Sequence, residues 1–299
     1  MIDLDALAAL RAVADEGSVN AAARATGFTP SAVSQQIKRL ERQTGVPLLE
    51  RVGRGVMLTG HGVHLVAAGA RVLADLEELE AGLQRRAGVV AGRFRLAAFS
   101  TAIRGVVAPV VSALRDAHPD LSLFLTEREP WDTIDLVASG QVELGIVHRW
   151  GGVPLDVPDH LVATPLAQDI ADLIVPVDHP LAARASVTPH DLLEVPWIAT
   201  PPDTICRQWL HRMYDGTGRP PRVAHESGEF ESHLAMVAAG LGVALVPRLG
   251  RAALGDRLVA VPVTEPVPTR LVDALHRRTM SESPAVVAVL DAFGATPGG

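Results

Sequence analysis

The residues best suited to chemistry lie in one polar segment, "TPSAVSQQIKRLERQTG", which runs from Thr29 to Gly45. Its periodicity predicts a helix in which Val33, Ile37 and Leu40 fall within about 60° of one another and form the buried face. The opposite face presents amide, hydroxyl and basic groups, which suit adenine edges and phosphates in DNA. The candidate DNA contacts on this helix are Ser31, Ser34, Gln35, Lys38 and Arg39.

The two adjacent glutamines of this segment are not equivalent. At about 100° per residue, Gln35 lies opposite the buried face, whereas Gln36 falls near its edge. The sequence therefore predicts that Gln35 reads a base and that Gln36 serves packing or a local phosphate contact. An ordinary solvated helix face would explain the same polarity, so the flanking segments decide between the two interpretations.

The flanking segments favour DNA. "VNAAARAT" predicts a helix whose small residues let another helix approach closely, and Gly27 fits the left-handed residue that ends it. The "TP" that follows supplies an N-cap and a first-turn proline, so the two helices form a helix-turn-helix. Next, "VPLLERVGRGVMLT" predicts two short strands that form a wing. Its Arg51 and Arg54 are candidates for a flanking minor groove or for phosphates.

Charge is distributed unevenly along the 299 residues, whose formal net charge is -7. Residues 18–60 contain six basic and two acidic side chains, a surplus of +4, whereas acids concentrate in residues 75–80 and 116–143. A basic module on an otherwise acidic chain is typical of a protein in which one domain binds DNA.

The elements that must position these residues change character along the chain. Residues 58–88 predict one long helix whose apolar residues are spaced as in a coiled-coil seam, although a helix packed on its own domain would fit too. From Arg93 onwards strands and helices alternate, which predicts a parallel sheet and two α/β lobes around a cleft for a small molecule. The seam residues are Leu65, Gly69, Val72, Leu76, Leu79 and Leu83.

Several classes of protein fit poorly. The acidic N-terminus is unlike a signal peptide, no apolar run reaches the roughly 18 residues of a membrane helix, and Cys206 is the only cysteine, so we expect a cytoplasmic protein. No nucleophile elbow or nucleotide-binding loop is present, so we expect neither an enzyme nor a cofactor. His61 and His64 lack further ligands at metal-site spacing, and we expect Cys206 to be a small buried residue.

The segment "GSVNAAARATGFTPSAVSQQIKRLERQTGVPLLERVGRGVMLTGHG" closely resembles the winged-helix signature of LysR-type transcriptional regulators. The stretches "HPDLSLFL", "DHPLA" and "VAAGLGVALVP" resemble the effector domain of that family, so the resemblance runs nearly end to end. Leu49 stands where many members carry phenylalanine. The resemblance implies base contacts by Ser31, Ser34 and Gln35, with Arg51 and Arg54 on the wing.

The same resemblance implies an assembly and a mechanism. It implies a homotetramer, dimerised through linker helices and effector domains, that binds an interrupted inverted repeat near promoters. A small-molecule effector in the cleft would alter DNA bending and the recruitment of RNA polymerase. A two-lobed solute-binding protein without a gene-regulatory role is the alternative; it would not need residues 1–60.

The implied fold is α/β: an N-terminal winged helix-turn-helix, a long coiled-coil linker helix, and a two-lobed effector domain like that of periplasmic binding proteins. We expect the DNA-binding domain at residues 1–58, the linker helix and hinge at 59–91, and the effector domain at 92–299. Within the last, the first lobe is expected at about 92–161 and 268–299, and the second at about 162–267.

The family's effector site is formed by strand ends, which predicts its position here. Ser100 and Thr101 follow the first strand, and their hydroxyls with the adjacent helix amides suit a carboxylate, although a plain N-cap is equally compatible. The mixture of acidic and basic groups predicts a zwitterionic or carboxylated effector such as an amino acid. The candidate contacts are Ser100, Thr101, Glu127, Glu129, His148, Arg149, Thr200, Pro201, His225 and Glu226.

Overall fold

The N-terminal domain consists of helices α1 (Leu4–Glu16), α2 (Val19–Thr26) and α3 (Pro30–Thr44) and a hairpin of β1 (Leu49–Val52) and β2 (Gly55–Leu58). The structure, a computed structural model, describes residues 2–53 and 55–294. Each helix begins at a side-chain N-cap and ends at a glycine in the left-handed conformation, the arrangement that satisfies free helix-end groups. The caps are Asp3, Ser18 and Thr29, and the glycines are Gly17, Gly27 and Gly45.

The core of this domain forms where α2 and α3 pack on α1. Val33, Ile37 and Leu40 of α3 are all buried, as the periodicity predicted, and they join Leu10 in one cluster. The alanines of α2 contribute Ala22, whose fully buried methyl group lets the helices approach closely. Packing thus holds one face of α3 inside and leaves its polar face outside.

The linker helix α4 (Gly60–Ala87) has 28 residues, which corresponds to a length of about 42 Å. The residues of the predicted coiled-coil seam differ in their surroundings along this helix. Gly69 faces α1 so closely that an added Cβ would lie 2.7 Å from a methyl group of Leu7. Farther along, Val72 and Leu79 are 51% and 60% exposed. The first part of the seam therefore packs on its own domain, and the later part is open to a second helix.

The remaining strands are β3 (Gly92–Ala98), β4 (Leu121–Glu127), β5 (Leu144–Trp150), β6 (Leu161–Pro176), β7 (Trp197–Ala199), β8 (Val223–Glu226), β9 (Ala244–Pro247), β10 (Leu258–Pro262) and β11 (Thr269–Arg277). Seven of them form a path that spans both lobes, in the order β10-β6-β11-β5-β3-β4, with β9 also paired to β6. The strands β3, β4 and β5 are parallel, as expected for a βαβαβ series. Strand β11 differs: it returns from the C-terminal part of the chain and lies antiparallel between β5 and β6.

Strand β6 crosses from one lobe to the other. Its residues 161–170 pair with β11 of the first lobe, whereas residues 171–176 pair with β9 and β10 of the second. A single 16-residue strand therefore serves both sheets, and its pairing partners change between Ile170 and Ala171. The expected boundary lay about where β6 starts.

Helices cover both lobes. The first helix of the sheet domain is continuous but changes pitch, since a π-helical turn at Ile103–Val107 separates α5 (Ser100–Ala102) from α6 (Ala108–Ala117). In residues 2–53 and 55–294 no helix is long and apolar enough to cross a membrane. The helices are α5 (Ser100–Ala102), α6 (Ala108–Ala117), α7 (Pro130–Ala138), α8 (Ile205–Met213), α9 (Phe230–Ala238) and α10 (Pro284–Gly294), with 3-10 turns at Pro189–Leu192 and Arg278–Met280.

Candidate DNA interface and effector cleft

The outer face of α3 presents the predicted DNA contacts to solvent. Ser31, Gln35 and Lys38 are exposed. The Ser34 hydroxyl donates to the Pro30 carbonyl at 2.8 Å. Its hydrogen is therefore engaged, and the oxygen remains available as an acceptor for a donor on DNA. One helix face therefore carries an amide, two hydroxyls and a cation side by side.

Arg39 has a partner that the sequence did not indicate. One guanidinium nitrogen lies 2.9 Å from the carboxylate of Asp3, the N-cap of α1. The side chain is nevertheless 62% exposed, and a guanidinium has five N–H donors, so this pair leaves donors for a phosphate. Arg39 thus both ties α3 to the start of α1 and remains accessible.

The two glutamines occupy different environments. Gln35 is exposed, whereas Gln36 is half-buried and its side-chain oxygen is buried without a hydrogen-bond partner among the described residues. An amide whose acceptor is enclosed in this way is poorly placed to read a base edge.

The wing is held by an acid inside the basic segment. The carboxylate of Glu41 on α3 accepts hydrogen bonds from the backbone N–H groups of Leu48 and Leu49, at 2.9 and 3.3 Å. Arg51 is exposed on β1 opposite Val56 of β2, and Arg54 lies outside the described residues. The sequence indicated only a negative charge at Glu41. A hydrogen bond from its side chain to the backbone seven residues away produces no recognisable sequence pattern.

In the second part of the molecule, a buried arginine is the centre of the candidate effector cleft. Arg270 on β11 is 1% exposed, and it donates to the Asp169 carboxylate at 2.8 Å and to the Thr101 hydroxyl at 2.8 Å. Its guanidinium also lies over the rings of Phe99 and Trp150, 5.1 and 5.8 Å from their centroids. Asp169 in turn accepts from the backbone N–H of Leu249 of the second lobe at 3.0 Å. This ion pair therefore stands where the two lobes meet.

His148 and Trp150 lie on the same sheet face as Arg270, because Trp150 is paired with Arg270 and residues two apart on a strand share a face. Burial, with the charge of Arg270 adding to it, lowers the pKa of His148 well below its ordinary value. His148 is therefore neutral at pH 7. Its Nδ1 and the Trp150 Nε1 are buried without a partner within the described part of the chain.

Arg149 does not belong to this group. As the residue between His148 and Trp150 on β5, it points to the opposite face of the sheet, where it donates to Asp273 at 2.7 Å. The sequence grouped Arg149 with His148 because both follow the third strand. The structure separates them, and Arg149 is left out of the proposed effector site.

The second lobe contributes a tight turn after β7. The carbonyl of Thr200 accepts from Arg207 at 2.8 Å, the carbonyl of Pro201 accepts from Thr204, and Arg207 also pairs with Glu226 at 3.0 Å. His225 is half-buried on β8. Glu226 thus already has a cationic partner in this state of the cleft.

Acids border the first lobe's side of the cleft. Desolvation raises the pKa of Glu129, and the negative charges of Glu127, Asp132 and, from the second lobe, Asp203 raise it further. Glu129 is the N-cap residue of α7 but makes no side-chain capping bond. These carboxylates therefore favour a positive group between them.

A small cavity lies where the interior of the second lobe meets Trp150 of β5. A cavity of about 20 Å³ is bordered by Trp150, Thr200, Cys206 and His233, enough space for about one water molecule. Burial raises the pKa of Cys206 to about 12, which keeps it a protonated thiol at neutral pH. In the described residues no cluster of three His, Cys, Asp or Glu side chains could hold a metal ion.

Of the predicted effector contacts, the structure thus brings Thr101, Glu127, Glu129, His148 and Thr200 towards the lobe junction. Ser100 is half-buried at the start of α5 beside Thr101. The sequence missed Arg270 and Asp169, although a signal existed: both are charged residues inside segments that become buried strands, and such charges are rarely buried unless they are paired.

Comparison with known proteins agrees with both halves of the chain. The family described as "Bacterial regulatory helix-turn-helix protein, lysR family" matches residues 4–63, and the "LysR substrate binding domain" matches residues 87–297. A relative named "Probable RuBisCO transcriptional regulator" from Cyanophora paradoxa is 30% identical over 250 residues, covering 81% of this chain and 75% of its own. The "Small neutral protease regulatory protein" of Streptomyces coelicolor is 30% identical over 289 residues, covering 95% of this chain and 84% of its own.

Among solved structures, the fold is similar to that of a full-length cysteine-to-aspartate variant of OxyR from Pseudomonas aeruginosa. The TM-score is 0.75, with 22% sequence identity, and the likeness covers 99% of this chain and 96% of that one.

Proposed function

The chain belongs to the LysR family of bacterial transcriptional regulators, and we propose that it reads DNA bases through Ser31, Ser34 and Gln35 of α3. The protein is a regulator with a DNA-binding domain and an effector-binding domain, and it is not an enzyme. Lys38, Arg39, Arg51 and Arg54 are proposed to bind phosphates or the flanking minor groove. We infer that it acts in the cytoplasm, where a bacterial regulator meets chromosomal DNA.

The observation that carries this proposal is that α3 is amphipathic. Its apolar face is fully buried, and its exposed face carries the amide and hydroxyl groups that match base edges. A single helix reads too few bases for useful specificity, so the active form is a homodimer or homotetramer on an interrupted inverted repeat. The exposed stretch of the linker helix around Leu79 supports such pairing.

The effector is proposed to be a small amino acid or carboxylic acid held between the lobes. Trp150 Nε1 and the hydroxyls of Ser100, Thr101 and Thr200 supply groups for a carboxylate, and Glu127 and Glu129 supply groups for an amine. Because the Thr101 hydroxyl already accepts from Arg270, the ligand must insert beside that bond or replace it. The remaining proposed contacts are Pro201, His148, His225 and Glu226.

We infer that such a ligand needs the lobes to open, because the cavity beside Trp150 and Thr200 holds only about one water molecule. Calorimetric titration of the full-length protein against amino acids and organic acids tests this assignment. Heat of binding from a member of either set supports it, and no binding in both sets contradicts it.

A regulator and a two-lobed solute-binding protein differ in what residues 1–60 do. If the regulator proposal is right, a chain that lacks them loses its DNA binding, while the effector domain keeps its ligand affinity. Retention of the same DNA by the shortened chain would contradict the proposal. RNA polymerase is the proposed further partner, recruited when effector binding changes the DNA bend.

A further inference from the structure

Arg277, the last residue of β11, joins the linker helix to the first lobe. Its Nε donates to both carboxylate oxygens of Glu77 on α4, at 3.0 and 2.9 Å. Its Nη1 donates to the carbonyls of Val137 and Val142 at 2.8 and 2.7 Å, at and just beyond the C-terminal end of α7. The side chain is 8% exposed. One guanidinium therefore connects β11, α7 and the linker helix.

Glu77 is equally committed to this contact. Its carboxylate also accepts from the Thr279 hydroxyl at 2.5 Å. Burial alone would raise the pKa of Glu77, but hydrogen bonds from Arg277 and the positive charge of that residue outweigh it, so the pKa lies below its ordinary value. The carboxylate is thus ionised at neutral pH and holds a bidentate ion pair, a geometry that fixes orientation as well as distance.

The DNA-binding domain reaches the same end of α7 by another route. Arg11 of α1 donates from Nη2 to the carbonyl of Ala138 at 2.8 Å. The terminal carbonyls of a helix are unpaired within it and carry partial negative charge, so they attract cations. Guanidinium groups from two separate parts of the chain, Arg11 and Arg277, therefore converge on the last residues of α7.

Both connecting elements begin at the effector cleft. Strand β11 carries Arg270 near its start and Arg277 at its end, about 23 Å apart. It is paired along its length with β5 on one side and β6 on the other. Helix α7 follows its N-cap residue Glu129, which lies beside the cleft, and ends at Ala138. Two regular elements thus run from the cleft to the contacts with α1 and α4.

We propose that Glu77, Arg277 and Arg11 form an interdomain clasp that positions the winged helix-turn-helix relative to the effector domain. The clasp sets the spacing and orientation of the two α3 helices in a dimer of the regulator. It therefore affects the affinity for a complete repeat rather than the affinity for one half-site. This inference rests on the proposed function.

The clasp is compatible with pairing of linker helices. On α4, Glu77 lies roughly 160° around the helix axis from Leu79. Glu77 faces its own effector domain, while Leu79 is exposed. A second linker helix can therefore pack on one side of α4 while the ion pair holds the other.

DNA affinity tests the clasp directly. The probes are a duplex with the interrupted repeat that the wild-type protein selects from a random library and a duplex with only one half of it. For Glu77→Gln, and for Arg11→Met as a second variant, we expect the affinity for the full repeat to fall at least five-fold. Affinity for the half-site should change less than two-fold, because α3 itself is untouched. The control is Glu78→Gln, which removes the same charge from the neighbouring residue on α4.

The distance between the DNA-binding domain and the effector domain is a second readout. A purely local effect on stability would not change this distance. Labels on exposed Asn20 of α2 and exposed Ser122 of β4 report the distance between the domains, in assemblies where one protomer is labelled. A single narrow distance distribution is expected for wild type and Glu78→Gln, and a broadened or shifted one for Glu77→Gln and Arg11→Met.

The proposal is overturned if Glu77→Gln and Glu78→Gln have the same distance distribution, or if Glu77→Gln weakens half-site and full-repeat binding equally. If the wild type selects no repeat from the library, the proposed function fails instead, and the distance measurement still decides whether the clasp exists.

Discussion

Exchange of each of the two adjacent glutamines for alanine separates base reading from packing on α3. Gln35 is exposed and presents a whole amide, which can make two hydrogen bonds to an adenine edge. Gln36 has its oxygen buried without a partner among residues 2–53 and 55–294. The two variants therefore remove the same chemical group from two environments that lie side by side.

The size of the effect follows from the hydrogen bonds to DNA that each substitution removes. One bidentate amide contact is worth about 1–3 kcal/mol of discrimination, which is roughly 5- to 150-fold in affinity ratio. A dimer presents Gln35 in both half-sites, so Gln35→Ala costs about 2–6 kcal/mol over a full repeat, since well-separated positions add. Gln36→Ala removes an acceptor that has no partner among the described residues, so discrimination stays within about two-fold of wild type.

The assay is competition between the selected DNA and duplexes with a single base pair changed, at one fixed salt concentration. We expect Gln35→Ala to lose preference at one base pair in each half-site and to keep it elsewhere. If both variants lose the same discrimination, or if Gln36→Ala loses more, Gln35 is not the base-reading residue of the pair.

Three further predictions follow from packing and charge. Leu79→Glu places a charge on the exposed side of the linker helix, and the loss of two leucines per dimer should weaken association by about 3–6 kcal/mol. Sedimentation should then show smaller assemblies than those of the wild type. An unchanged size would exclude this helix from the interface. Gly62→Ala would bring a Cβ to 2.3 Å from the Leu48 carbonyl oxygen and should lower the free energy of unfolding by about 1–3 kcal/mol, while Gly60→Ala, whose Cβ meets nothing within 4 Å, should not. The pKa of His148 is lowered in the folded protein, so as the pH falls below about 6.5 only the unfolded chain protonates this side chain. The free energy of unfolding should therefore decline by up to about 1.4 kcal/mol per pH unit. Denaturant titrations at about pH 7 and pH 5.5 should show a shallower decline for His148→Gln than for the wild type.

The DNA-binding half followed closely from sequence because its determinants are local. N-caps, left-handed glycines and a helical period lie within a few residues of one another, and they placed Val33 and Leu40 inside and Gln35 outside. The wing's support by Glu41 was not predicted, since that bond is made by a side chain to the backbone of another element.

The cleft was less predictable because its central contacts join distant parts of the chain. Arg270 and Asp169 are 101 residues apart, and they meet only because β11 inserts antiparallel beside β6. Strand alternation places Arg149 and His148 on opposite faces of the sheet, and their shared position at the end of a strand did not indicate this. The clasp between Glu77 and Arg277 spans 200 residues and left no trace in local pattern.

Selection of DNA from a random library by the full-length protein measures sequence-specific binding itself, and a chain lacking residues 1–60 is the matched control. We expect the full-length protein to enrich an interrupted inverted repeat. Its affinity should fall steeply with added salt, because phosphate contacts release counterions from the DNA. Enrichment of no common sequence, or enrichment of the same sequence by the shortened chain, would contradict the proposed function.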